Sequence, residues 1–217
     1  MLQFLSSNDF LKIILKIRNV IAENKDYLTA LDAAIGDADH GINMERGFDS
    51  VADQLGVVDV NSSDVGVILM TTSTALLENV GGAAGPLYGM FFMNMANVCS
   101  GKNIVDSETL ARMFEAGLES LREIGGGTIP NDKTMVDTLF PVVEEMKKAV
   151  NLKLELVETL KLASDAAEKG MNSTKDMIAK RGRASYLGER SRGHIDPGAA
   201  SSYLIIKTIY QYVSGQA

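Results

Sequence analysis

Apolar residues recur at the i, i+3, i+4 spacing of an α-helix through almost the whole chain, and this pattern excludes most other architectures. Phe10, Ile13, Ile14, Ile17, Val20 and Ile21 form the first stripe, after an expected cap at Asn8 or Asp9. A second helix is expected from Asn43 to about Leu55, beyond a polar turn. Asp64 opens a third, with Val67, Ile68, Thr71, Ala75 and Leu76 inward and an end near Asn79. Pro86 suits the first turn of a fourth, reaching about Val98. Asp106 or Ser107 caps a fifth, with Leu110, Met113, Phe114, Leu118 and Leu121 inward and Gly125 as its stop. A sixth runs from about Lys133 to Val150, with a kink expected at Pro141. A seventh covers about Leu154 to Met171, with a short extension from Ser173 or Thr174 to about Lys180. The last begins near Pro197 and carries Tyr203, Leu204, Ile206, Ile209, Tyr210 and Val213. About eight helices and no convincing strand give an all-α fold class, read as a single domain over residues 1–217 with antiparallel neighbours and short loops. Glycine-rich loops then collect at the ends of the bundle, where a small molecule can bind.

The chain is 46% hydrophobic, enough for a real core, but has no Trp and only 6% aromatic residues, so Leu, Ile, Val, Ala and the 11 Met must fill that core. A net charge of −7 argues against general nucleic-acid binding. The lone cysteine, Cys99, cannot form an internal disulfide and reads as a small core residue, so a reducing cytoplasm is expected. There is no basic segment followed by an apolar run of the signal-peptide kind. No apolar run reaches the roughly 18 residues of a membrane span.

Asp32, Asp37 and Asp39 place three carboxylates around small Ala33, Ala34, Gly36 and Ala38, within the run Gly36-Asp37-Ala38-Asp39-His40-Gly41. Unpaired, such a cluster repels itself, and a hard divalent cation with oxygen ligands removes that cost. If Asp32 ends a helix, Asp37 can face the same point. The spacing is not an EF-hand: with Asp37 first, the turn glycine falls on Ile42 and the bidentate glutamate on Phe48. A helix-capping, solvated acidic turn is the alternative.

Three further loops are rich in glycine or basic residues. Gly81-Gly82-Ala83-Ala84-Gly85-Pro86 precedes a helix whose free N–H groups favour an anion, although close helix packing also uses small residues. The segment from Gly125 to Thr134 nearly matches a P-loop, but Asp132 replaces the glycine before Lys133, and no strand precedes it. Lys133 and Thr134 can meet phosphate at a helix start; equally, Asp132 can be only a cap and Lys133 only a solvated charge. The segment from Lys180 to Gly198 holds Lys180, Arg181, Arg183, Arg190 and Arg192 in an otherwise acidic protein, which suggests an anionic ligand, with a mobile surface loop as the alternative. His40 and His194 read as structural residues unless a phosphate lies beside them. Three acids, several helix starts and one arginine loop describe a Mg²⁺–polyphosphate site, with arginine stabilising transferred charge.

These residues resemble the nucleotide-binding L subunit of dihydroxyacetone kinase. The matching motifs are Asp32 with Gly36-Asp37-Ala38-Asp39-His40-Gly41, Asn43 and Arg46-Gly47-Phe48; Gly81-Gly82-Ala83 with Gly85-Pro86-Leu87-Tyr88-Gly89; and Asp132-Lys133-Thr134-Met135 with Asp137 and Pro141. The longest is Lys180-Arg181-Gly182-Arg183-Ala184-Ser185-Tyr186-Leu187-Gly188-Glu189-Arg190-Ser191, followed by Gly193-His194 and Asp196-Pro197-Gly198-Ala199. They fall in family order across nearly the whole chain.

The resemblance implies an antiparallel eight-helix barrel with ADP or ATP at one end. It implies that Asp32, Asp37 and Asp39 bind two Mg²⁺ ions. His40, Gly41, Ile42, Asn43, Ala83, Ala84, Gly126, Met135, Arg183 and the turn Asp196-Pro197-Gly198 would surround the nucleotide, with Arg183 as the catalytic residue. The chain departs from the family pattern at Ala84, where serine is usual, and at Ser73, where glycine is common. A free-standing module is similar to the phosphotransferase-system version rather than the one-chain ATP-dependent kinases. In that version a K subunit carries dihydroxyacetone, and a phosphocarrier M subunit rephosphorylates the bound ADP. Alternatives are a detached relative acting on fatty-acid or sugar-like substrates, and a non-catalytic nucleotide-loaded module that binds a transcription regulator. A homodimer is a further possibility; no nucleic acid or membrane is expected.

Overall fold

The computed structural model describes residues 2–216. Helices α1 (Ser7–Glu23) and α2 (Lys25–Ile35) form one long helical stretch interrupted at Asn24. The i→i−4 ladder crosses the interruption, since Asn24 N donates to Val20 O at 3.1 Å and Leu28 N to Asn24 O at 2.9 Å. Then follow α3 (His40–Leu55), α4 (Val65–Asn79), α5 (Ala84–Cys99), α6 (Ser107–Ile124), α7 (Met135–Asn151), α8 (Leu156–Ser173) and α9 (Pro197–Ser214). Two short strands, β1 (Leu5–Ser6) and β2 (Ile104–Val105), pair antiparallel and tie the segment before α1 to the α5–α6 connection. No helix among the described residues is long and apolar enough to cross a membrane.

The helical stretches form a closed ring in which each packs on the next and α9 returns to α1. Ion pairs fix the direction of the first turn: Arg18 meets Asp49 and Lys25 meets Glu45, so α1–α2 runs antiparallel to α3. Ser73 Oγ donates to Gly89 O between α4 and α5, and Lys147 meets Glu115 between α7 and α6. The ring closes where the Tyr212 hydroxyl on α9 donates to Asp9 on α1 at 2.7 Å. One continuous apolar cluster fills the interior, with Ile21, Met44 and Phe48 fully buried and Phe91 edge-on to Phe92 and Phe114. Because the helices alternate in direction, every second connection falls at the same end. The segments 36–39, 80–83, 125–134 and 174–196 therefore share one mouth, while 56–64, 100–106 and 152–155 lie at the far end.

Local chemistry explains most boundaries. Asp64, Asp106 and Asp196 each cap a helix by accepting the backbone N–H three residues on. Pro197 sits at the first position of α9, where its missing N–H costs nothing. Elsewhere the caps differ from expectation. Ser6, not Asn8 or Asp9, caps α1, with the Asp9 carboxylate reaching back to Ser6 in a capping box. Thr134, with Asp137, does the same for α7, which frees Asp132 for other work. The expected extension to Lys180 is only a 3-10 turn at Thr174–Asp176, and a second 3-10 segment, Arg183–Ser191, breaks at Gly188.

Pro141 lies inside α7 and leaves the Asp137 carbonyl without its intrahelical donor. That carbonyl faces Gly170 on α8: a Cβ added there would sit 2.3 Å from Asp137 O and 2.9 Å from Thr138 Cα. Alanine normally gains about 1 kcal/mol over glycine inside a helix. Overpacking against backbone that cannot yield costs typically about 1–3 kcal/mol, so the clash decides the sign. Gly170→Ala is accordingly expected to lower the midpoint of urea unfolding. A raised midpoint would show that α7 and α8 part freely.

Candidate functional site: a carboxylate-lined cleft at the barrel mouth

The turn between α2 and α3 is shaped by its small residues. A Cβ at Gly36 would fall 1.9 Å from Asp32 Oδ1, so only glycine admits the Asp32 side chain there. Ala38 takes a left-handed φ of 61°. The Asp39 side chain does not cap α3; instead Asp32 Oδ2 accepts from Asp39 N at 2.9 Å and His40 N at 3.1 Å. The turn is thus folded around Asp32. One carboxylate oxygen from each of Asp32, Asp37 and Asp39 lies within 4.8 Å of the others, with Asp32 buried and Asp37 exposed. This all-oxygen donor set suits a hard divalent cation. Across the cleft, Arg183 meets Asp37 at 3.0 Å.

The second loop is held from α3: Arg46 donates to Asn43 Oδ1 at 2.9 Å and to Asn79 O at 2.8 Å. No side chain caps α5 where it starts at Ala84, so its first N–H groups stay available to an anion. The Ser73 departure is structural, since Ser73 is fully buried and spends its hydroxyl on Gly89 O. Ala84 offers no hydroxyl at the cleft.

The third and fourth loops are bonded to each other. Arg181 donates to Asp132 Oδ2 and to the carbonyls of Gly126 and Gly127, and Lys180 N donates to Asp132 O. Burial opposes ionisation of Asp132, but the Ile129 N–H, Arg181 and Lys180 outweigh it and hold the carboxyl below its ordinary range. Lys133 is not a solvated charge; it is 1% exposed. His40 is buried against Ser201 at 2.9 Å, and Ser201 meets Tyr88, which also meets Ser202. Burial pushes His40 down, against the pull of Asp32 and Asp39, and pushes Tyr88 up to about 12. A neutral His40 is the form this setting favours.

These loops enclose a cleft of about 400 Å³. All the site residues expected from the sequence line it except Gly41, Ile42 and Gly126. Gly41 faces α2, where a Cβ would lie 2.1 Å from Lys25 O, so its role is close packing of helices. Ile42 is half exposed beside the opening. Gly126 has a left-handed φ of 70° and offers its carbonyl to Arg181, so it shapes the loop. The sequence reading missed the apolar wall of Ile35, Leu87, Leu121 and Val136, along with Thr128. Their periodicity is that of the barrel core, which gave no separate signal.

A family profile described as "DAK2 domain" matches residues 34–211. The chain belongs to the DAK2-domain family. It is 40% identical over 205 residues to the PEP-dependent dihydroxyacetone kinase, ADP-binding subunit DhaL, of Escherichia coli (strain K12), covering 94% of this chain and 96% of that one. It is 36% identical over 199 residues to the PTS-dependent dihydroxyacetone kinase, ADP-binding subunit DhaL, of Lactococcus lactis subsp. lactis (strain IL1403), covering 92% and 94% respectively. The crystal structure of the dihydroxyacetone kinase from C. freundii in complex with AMP-PNP and Mg²⁺ shares the fold, with a TM-score of 0.69 at 23% identity over 93% of this chain and 33% of that one. The all-α barrel is thus that of the DAK2 family.

Asp196 gives this DAK2 cleft a pH dependence. Asp196 is half-buried at the cleft wall, and burial pushes its carboxyl up to about 7, against the Ala199 N–H and Lys133, which favour the anion. A carboxyl whose folded value exceeds its unfolded one takes up a proton on folding. Its stabilising contribution is therefore complete below the unfolded value of about 3.9 and is lost as pH rises through about 7. With chelator present, the wild type is expected to lose stability relative to Asp196→Asn, which keeps the cap, between pH 5 and pH 8. Urea titrations running parallel across that range would refute the assignment.

Proposed function

We propose that the chain is the nucleotide-binding subunit of a dihydroxyacetone kinase, holding ADP or ATP with two Mg²⁺ ions. In this reading it passes a phosphoryl group from a phosphocarrier M subunit, by way of bound ADP, to dihydroxyacetone on a separate K subunit. The observation that carries it is one juxtaposition: three aspartate oxygens within 4.8 Å of each other, Arg183 on one of those aspartates, and the uncapped start of α5 beside the same cleft. Relatives that match along nearly their whole length bear the name of ADP-binding subunits of such kinases, which supports the same assignment.

Asp32, Asp37 and Asp39 would hold the metal, with Asp32 kept in place by the two N–H groups it already accepts. When bound, Mg²⁺ supplies charge neutralisation for the phosphates. The N–H groups at the start of α5 take further phosphate oxygens without any change of conformation. Arg183 carries the catalytic role: its guanidinium, 70% exposed on the side chain, reaches charge that develops on the moving group. The apolar wall of Ile35, Leu87 and Leu121 gives the base an environment without competing water. His40, Asn43, Ala83, Met135 and the Asp196–Gly198 turn complete the nucleotide surround.

Native mass spectrometry of the purified protein tests the reading directly, with ADP and Mg²⁺ expected to stay bound. Asp37→Ala should lose both and melt at a lower temperature, because ligand binding stabilises only the folded state. Retention of ADP and Mg²⁺ by that variant would remove the metal assignment. Triose phosphate should form only when a K-type subunit is added. In that mixture Arg183→Ala is expected to keep the helical circular-dichroism signal and to lower turnover by roughly 10²-fold or more. Near-wild-type turnover would reject the catalytic role.

A further inference from the structure

Arg183 is poorly held by its own surroundings. Its side chain is 70% exposed and makes one ion pair, with Asp37. Its position is therefore set by the backbone of the long connection between α8 and α9, which is tied to the 125–134 loop at Lys180 and Arg181, crossed internally by Ala179 N donating to Ser191 Oγ at 2.9 Å, and closed at its neck. Gly193 N donates to Lys175 O at 2.7 Å, and Asp196 N to Thr174 Oγ1 at 3.0 Å. Between these two bonds the Lys133 ammonium enters from the other loop and donates to both Thr174 O and His194 O.

Lys133 is an unusual residue for this place. It is the one lysine among the buried polar residues described, at 1% exposure. Burial disfavours its charge, while Asp196, Asp137 and Asp176 favour it. An apolar side chain of similar length would fill the same volume without that desolvation cost, and replacing buried charges in this way is often neutral or stabilising. The backbone there has a left-handed φ of 62°, which glycine adopts freely and lysine does not. Neither packing nor backbone conformation calls for lysine; the bridge between the two carbonyls does.

We propose that Lys133 is a positioning residue for phosphoryl transfer: its buried ammonium ties the two ends of the 175–195 segment together and so fixes Arg183 over the aspartate cluster. This rests on the phosphoryl-transfer reading above. It adds a residue at the cleft wall whose ammonium is spent on two carbonyls of the loop.

The loop carries its own reporter, since Lys180, Arg181, Arg183, Arg190 and Arg192 are all trypsin sites. In Lys133→Met, limited trypsin digestion of the ligand-free protein is expected to cut the 175–195 segment at least tenfold faster than in wild type, with the helical signal retained. Mg²⁺·ADP affinity should change by less than threefold, because the aspartates and the α5 start are untouched. Turnover with a K-type subunit should fall by tenfold or more, a kcat effect without a matching KM effect. Thr174→Val, which removes the Asp196 N–H bond at the same neck together with the hydroxyl's own bond to Met171 O, should move both readouts in the same direction, and it decides the matter if Lys133→Met does not fold. Unchanged cleavage would overturn the clamp whatever the enzyme's activity. Faster cleavage with turnover within twofold of wild type would overturn the positioning role. If wild type shows no transfer with any K-type subunit, the functional reading has failed, and cleavage alone then judges the clamp.

Discussion

Closure of the ring between α9 and α1 is the constraint from which the rest of the structure follows. First and last helices can meet antiparallel only if the number of alternating stretches is even. Here the interrupted α1–α2 stretch counts once, which makes the number work. The Tyr212–Asp9 hydrogen bond marks the seam, and Asp9 also belongs to the capping box that starts α1. Alternation then places four polar loops together at one end. None of these loops would make a site alone. Held by rigid helices around a shared cleft, they bring aspartates from one connection to an arginine from another that is far along the chain.

At the mouth, polar groups are satisfied by each other rather than by water. The chain of contacts from His40 through Ser201 to Tyr88 and Ser202 joins α3, α5 and α9 beneath the cleft. Thr138 donates to Ala199 O and stitches α7 to α9 at the same level. Two aspartates of the third and fourth loops, Asp132 and Asp196, are driven in opposite directions. Asp132, paired with Arg181, is held as an anion, while the half-buried Asp196 is pushed towards protonation.

Most of the barrel was legible from period alone, because each helix turns one apolar stripe to a common core. The helix Lys25–Ile35 was not, since only Leu28, Leu31 and Ile35 mark its inner face and Asn24 interrupts the stripe before it. The cap of α1 was misplaced because Ser6, Ser7, Asn8 and Asp9 are all good capping types, and only the reciprocal bond chooses Ser6. The helical extension to Lys180 failed for a tertiary reason: Gly193 N and the Lys133 ammonium take carbonyls that a helix would have used. The aspartate cluster was readable because its members lie close in sequence. The apolar wall and the burial of Lys133 were not, because both depend on which helices become neighbours. The sequence left Lys133 open between a phosphate contact and a solvated charge; the fold buries it at the cleft wall, which removes the second.

The two ends of the barrel also differ in how much change they can absorb. At the mouth, Ala38, Asn131 and Lys133 hold left-handed conformations, as Lys153 does at the far end, and Gly36 has no room for a single added methyl. At the far end, Val57 is 88% exposed and Leu152 is 70% exposed, in connections that contribute nothing to the cleft. Doubling the length of a flexible connection costs only about 0.6 kcal/mol in closure entropy. Insertions, tags and reporter modules should therefore be accommodated at 56–64 with less penalty than at the mouth. A lineage carrying this fold can lengthen and diversify one face of the barrel while its opposite face stays nearly fixed in outline.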